Sequence, residues 1–317
     1  MVRLRIDTWD AEYGSSFELA EASEDEPRQA QFVEPREWVP VMPDPNDLPV
    51  RIGFIDGVRR IDARLFAEAE DAIAPALAGS WAVGVAWSGR PPSIGVVGVG
   101  RQLVVGGNLT HPGLDFEIGS HRLTYPLLAV AGSTSIDPIL GLQNAMRQAE
   151  ARLAKDVAEG EAPELLVLDG PLSYFDARVP VVGMIKRQVR PYLASEQAAI
   201  LPRLGVGQRT PLFILGDRSL ERFSWYARIG VRRPIDGVMT GIVRLETTTA
   251  RGLAAAVHLA EMTAAALPRF ATEIGRDPRA PQNLYPVARL ESELHHRLGD
   301  PALVKRGIEQ VLWRGNA

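Results

Sequence analysis

Cysteine is absent from the 317 residues, which excludes disulfides, thiolate nucleophiles and Cys-ligated zinc or iron–sulfur centres, so any metal must be held by oxygen or imidazole. Lysine is almost absent. Lys155, Lys186 and Lys305 stand against 32 arginines, and histidine occurs only 5 times. No run reaches the roughly 18 uninterrupted apolar residues of a membrane helix. The opening Met-Val-Arg-Leu-Arg-Ile-Asp lacks the apolar centre of a signal peptide, so a cytoplasmic location is expected. Also missing are the G-x-x-x-x-G-K-[ST] nucleotide loop, the G-x-S-x-G elbow and the H-E-x-x-H zinc spacing, and "GVGRQLVVGG" breaks the dinucleotide fingerprint at Leu103. What remains for chemistry is carboxylates, hydroxyls, His, Lys and Arg.

What is present is an apolar fraction of 46%, enough for a substantial core. Charge is unevenly spread. Residues 1–49 carry 4 Arg against 12 Asp and Glu, whereas residues 180–233 carry 10 Lys and Arg against 3 acids. The first segment, rich in acid and proline, predicts an extended, poorly structured arm. The second is either a solvated Arg-rich surface or a surface that attracts a polyanion. From Val50 onward, strand-like runs alternate with Gly-containing breaks. A helix follows from Asp137 to Gly160, with Pro138 at its first turn, and then a fully apolar strand, Leu165–Leu168. More strands lead to an Ala-rich helix ended by Pro268 and to one or two terminal helices. No internal repeat or second boundary is visible, which predicts one α/β domain over residues 50–317.

Two apolar strands in this reading end on Asp-Gly, at Asp56-Gly57 and Asp169-Gly170. An acid at the C-terminal end of a buried strand sits where open α/β sheets bind ligands, and glycine after it allows close approach. Asp-Gly is also a common turn dipeptide, as Asp236-Gly237 illustrates. Glu150, in the helix before the second strand, is placed to lie over the strand ends or to pair with Lys155 or Arg147 on the surface. Three converging carboxylates would suit Mg²⁺ or Mn²⁺. Near the C-terminus "YPVARLESELHHRLGD" puts Glu291 and His295 on one helical face and Glu293 and His296 on another, beside an apolar stripe of Leu290, Leu294 and Leu298. Lys186 stayed lysine where nearly every other basic position is arginine. It is a candidate point charge for a scissile phosphate, or a chance retention.

In order, "FIDGVRR", "MRQAEARLA", "LLVLDGPLSYF", "VVGMIKR", "WYARIG", "IVRLE" and "YPVARLESEL" resemble the NurA nucleases from about Val50 to Leu298. The resemblance implies a ribonuclease H-like mixed sheet flanked by helices, a homodimer, and Mn²⁺- or Mg²⁺-dependent, two-metal hydrolysis of single- or double-stranded DNA. It also implies a HerA-type hexameric ATPase as partner, in end resection and repair or in phage defence. Asp56, Glu150 and Asp169 match the family's acidic ligands, and Lys186 the lysine of its Gly-x-x-Lys strand. Where the family's closing helix carries Ala-His or Ala-Asp, counting from Pro286 places Glu293, with His295 or Glu291 as alternatives. Lys186, Arg187, Arg190 and Arg228 would contact phosphates without reading sequence, and Trp225 and Tyr226 would stack on unpaired bases or belong to the core. Two other functions are compatible with the sequence: a catalytically weak adaptor on a motor ATPase, and an actin-like or sugar-kinase-like phosphotransferase.

Overall fold

Seventeen consecutive residues, Ile52–Glu68, form one strand. The computed structural model describes residues 2–6, 30–44, 48–161, 163–172, 180–187, 191–216 and 221–316. In chain order the strands are β1 (Arg3–Ile6), β2 (Gln31–Phe32), β3 (Ile52–Glu68), β4 (Ile73–Trp87), β5 (Ser93–Val105), β6 (Leu114–Ile118), β7 (His121–Tyr125), β8 (Leu127–Ala129), β9 (Leu165–Asp169), β10 (Val181–Ile185), β11 (Phe213–Leu215), β12 (Arg222–Arg228) and β13 (Ile242–Thr248). The helices are α1 (Asp137–Glu161), α2 (Ser195–Ala198), α3 (Leu253–Ala266), α4 (Tyr285–Arg297) and α5 (Pro301–Asn316).

The architecture is mixed α/β: a large mixed sheet in the order β2-β11-β12-β13-β10-β9-β3-β4-β5-β8, with β1 added along β3 and β6-β7 as a separate hairpin. The centre of the sheet is parallel. Ile52–Ile55 of β3 run alongside Leu165–Leu168 of β9, and β9 alongside β10, while β4 and β13 flank this centre antiparallel. Strands so enclosed are covered on both faces, which is why Ile52–Ile55 and Leu165–Leu168 read as continuous apolar runs. Side chains alternate between the faces. Ile55, Leu166 and Leu168 pack under Met146, Leu153 and Val157 of α1, whereas Ile52, Phe54 and Val167 pack under Leu259 of α3 and Val287, Leu290 and Leu294 of α4.

Two expectations are corrected here. Asp56-Gly57 does not end a strand. The parallel ladder with β9 stops at Ile55, but β3 continues to Glu68 because β4 pairs with it along nearly its whole length, with a bulge near Asp62. The acidic segment 1–49 is also not wholly an unstructured arm. β1 pairs with the far end of β3, β2 pairs with β11, and Val41 bridges Arg209; residues 7–29 lie outside the described residues. Among the described residues no helix is long and apolar enough to cross a membrane.

Candidate metal centre

β9 ends at Asp169 and its neighbour β3 continues, so the sheet opens a cleft beside Asp56. By alternation from Ile52 and Phe54, Asp56 faces the side covered by α4. Asp169 follows Leu165 and Val167 onto the same face. Gly170 then turns the chain away at φ +116°, a left-handed conformation that favours glycine, with its N–H donating to the Met184 carbonyl at 2.9 Å. The third carboxylate comes from α4. Ligand oxygens of Asp56, Asp169 and Glu291 all lie within 4.8 Å of one another, and this group could hold a metal ion.

Glu150 approaches from the other face. It occupies a position in the apolar stripe of α1, one turn after Met146 and three residues before Leu153, and is 5% exposed. Gly57 makes room for it: a Cβ built there would lie 2.5 Å from Glu150 Oε1. Its immediate successors on the stripe are apolar, so a charged group here has no packing role. Gly57→Ala should displace the Glu150 carboxylate, whose flexible tip is the nearest obstruction, while Met146 Cγ and Val83 Cγ1, each 3.1 Å from the added Cβ, need to give by only a few tenths of an ångström. The expected outcome is an unchanged melting temperature to within a few degrees and divalent-ion binding weakened by about tenfold, on the scale of lost support around a metal site; calorimetric titration with Mn²⁺ checks it.

Electrostatics reflect this crowding. Burial, then the nearby Asp169 and, more weakly, Glu150 and Glu291, raise the proton affinity of Asp56 well above the usual carboxylate range, with Lys186 opposing. Burial and Asp169 push Glu150 up to about 8, against Arg147. Asp56 Oδ1 accepts from the Gly57 N–H at 2.8 Å, while Oδ2, buried, has no hydrogen-bond partner. Such an oxygen facing further carboxylates is costly unless a cation meets it, so the residues present fit a hard divalent ion. Lys186 follows β10, donating to Asp169 and, at 2.7 Å, to Asn283 Oδ1. The cleft encloses about 640 Å³, and its lining includes Arg59, Arg147, Lys186, Arg187 and Arg279 around the acids.

The remaining predicted residues divide. His295 lines the cleft one turn from Glu291 but lies outside the three-acid group. Glu293 lies outside both the three-acid group and the cleft lining, and it accepts from Arg297 Nε at 2.7 Å. Two residues along a helix rotate the side chain by about 200°, so Glu293 and Glu291 cannot face the same cleft. Arg228 is 5% exposed, donating to the carbonyls of Leu204 and Thr240, both at 2.6 Å, so it ties loops together and offers nothing to a phosphate. Tyr226 is 3% exposed and stacks on Phe213, and Trp225 is fully buried; neither presents a face to a base. Arg187 is exposed at the cleft, and Arg190 lies outside the described residues. Sequence reasoning did not single out Asp277, Arg279 or Asn283, which surround Glu291 and Lys186 and belong to a segment without periodicity. No protein-family model and no curated protein matches the chain.

Proposed function

We propose that the protein is a divalent-cation-dependent deoxyribonuclease of the NurA type, with a ribonuclease H-like arrangement of its central strands. The observation that carries this reading is the convergence of Asp56, Asp169 and Glu291, from three distant parts of the chain, in a group whose Asp56 has one buried oxygen without a donor. The order of the elements also supports it: a long strand bearing one acid in its first third, beside a parallel strand bearing another at its end, with a helix-borne glutamate behind each face.

Asp56, Asp169 and Glu291 would hold the ion, with Glu150 as a fourth carboxylate behind Gly57. A bound Mn²⁺ or Mg²⁺ supplies a water of lowered pKa and stabilises charge on the phosphodiester oxygens. The chain's own groups do the rest. Lys186, anchored by Asp169 and Asn283, places a compact positive charge at the cleft floor, where it stabilises a pentacovalent phosphate more than the starting diester. Arg59, Arg147 and Arg187 line the same cleft and suit the sugar–phosphate backbone of DNA without distinguishing bases. A homodimer working with a HerA-type ATPase on DNA ends is part of the same proposal.

The test is digestion of linear single- and double-stranded DNA by the purified full chain with Mn²⁺, Mg²⁺ or EDTA. Metal-dependent shortening, lost in Asp169→Asn, is the expected outcome; DNA left intact at every Mn²⁺ concentration refutes it. That second result would favour an inactive adaptor.

A further inference from the structure

The segment between α3 and α4 carries a continuous chain of polar contacts that begins and ends on the metal centre. Lys186 Nζ bonds Asp169 and donates to Asn283 Oδ1 at 2.7 Å. Asn283, fully buried, donates from Nδ2 to Asp277 Oδ2 at 2.6 Å. Asp277 accepts from the Arg279 backbone N–H at 2.7 Å, and its carboxylate lies 3.4 Å from the Arg279 guanidinium. That guanidinium holds both carboxylate oxygens of Glu291, each at 2.5 Å. Asp169 and Glu291, the two ends of the chain of contacts, are the very acids that meet at Asp56.

Each link has a chemical reason. A planar fork fixes a carboxylate's position and rotation together, which an ammonium cannot do. Asp277 balances the charge of Arg279, so the arginine is not simply a counter-ion that neutralises Glu291. Asparagine is the residue that can accept from a lysine with one end and donate to an aspartate with the other. We propose that Asp277, Arg279 and Asn283 form a positioning unit that aims Glu291 and Lys186 at the centre and thereby sets its affinity for a divalent cation. This rests on the metal-binding reading of the acid group, and none of the three residues is assigned contact with the reacting atoms.

The sign of the effect separates positioning from mere charge. Removing a positive charge beside carboxylates would by Coulomb's law tighten cation binding; removing the group that orients a ligand loosens it. Free Mn²⁺ is measured by electron paramagnetic resonance in titrations of the full chain: wild type, Arg279→Ala, Arg279→Lys, and Arg122→Ala as a control that removes a remote surface ion pair. Arg279→Ala should raise the Mn²⁺ dissociation constant roughly ten- to a hundredfold. Arg279→Lys should fall between it and wild type, and Arg122→Ala should match wild type. Digestion by Arg279→Ala should recover toward the wild-type maximum at high Mn²⁺, a shift in metal requirement and not in turnover. The side chain of Arg279 is half exposed, so the variant should fold. Unchanged or tighter Mn²⁺ binding in Arg279→Ala overturns the proposal, as does a wild type that binds no Mn²⁺. A wild type that binds Mn²⁺ in the expected order of variants yet leaves DNA intact refutes the nuclease reading alone.

Discussion

Asp56→Asn is expected to abolish metal-dependent digestion while making the metal-free protein more stable at pH 8. The first effect follows from losing a ligand of the cation that would offset transition-state charge; a few kcal/mol of that stabilisation corresponds to about a thousandfold in rate. The second follows from linkage. Asp56 and Glu150 both bind their protons more tightly in the folded chain than in the unfolded one, so the stability tied to protonation is complete below the ordinary carboxylate pKa and is lost as pH rises through the folded value. For Glu150 that window runs from 4.5 to about 8. At ~1.4 kcal/mol for each tenfold in proton affinity, the metal-free wild type should lose several kcal/mol across it. Asparagine carries no charge at any pH in the window, so the share of the slope that comes from Asp56 should vanish, while the share of Glu150, set by burial and Asp169, should remain. Thermal melts in EDTA from pH 5 to 8, repeated with Mn²⁺, provide the check: Mn²⁺ should stabilise wild type and leave Asp56→Asn almost unmoved. A slope identical to wild type in the variant would count against Asp56 as one of its sources.

The largest effect on stability is expected away from the metal centre. Arg209 has no exposed surface; its guanidinium donates to Glu34 at 2.8 and 3.0 Å and also bonds Glu261 of α3. Glu34, itself buried, accepts in addition from the Leu212 backbone N–H at 2.9 Å. Against the cost of its burial, Arg209 holds the Glu34 carboxyl below its ordinary range. Truncating the arginine leaves Glu261 without it and the buried Glu34 with only the half-exposed Arg36, at 3.0 Å, as a cationic partner, so Arg209→Ala should cost about 3 kcal/mol. It should also release the segment around Gln31–Val41 from β11. A lowered denaturant midpoint together with new protease cleavage within residues 30–41 is the expected readout. Combining Arg209→Met with Glu34→Gln and Glu261→Gln should recover much of the loss, because no unpaired charge remains. If Arg209→Ala unfolds at the wild-type midpoint, the triad is not what holds this segment.

How much of this was readable in the chain depends on whether the relevant partner is local. Asp169 and Gly170 are legible because a short apolar run, its terminal acid and its turn are adjacent. Asp56 is legible as a residue but not as a position, since only the hairpin with β4 shows that the strand runs on beneath it. Glu150 carries a local sign, a glutamate inside an apolar stripe. Glu291 differs from Glu293 only by rotation about α4, which depends on how Leu290 and Leu294 seat against the sheet. Arginines mislead most. Arg209 and Arg228 look like surface charge in composition, yet their partners are a carboxylate 175 positions away and loop carbonyls. No period or motif encodes such pairings.

The span of the centre along the chain has a consequence for synthesis. Its three grouped carboxylates come from positions 56, 169 and 291, with Glu150 behind Gly57, and the last lies on α4, which follows every strand of the sheet in the chain. A ribosome-bound chain still missing that helix has two strands with acids and nothing to complete them. Any product shortened before α4 therefore lacks one of the three grouped carboxylates, however well its sheet is built.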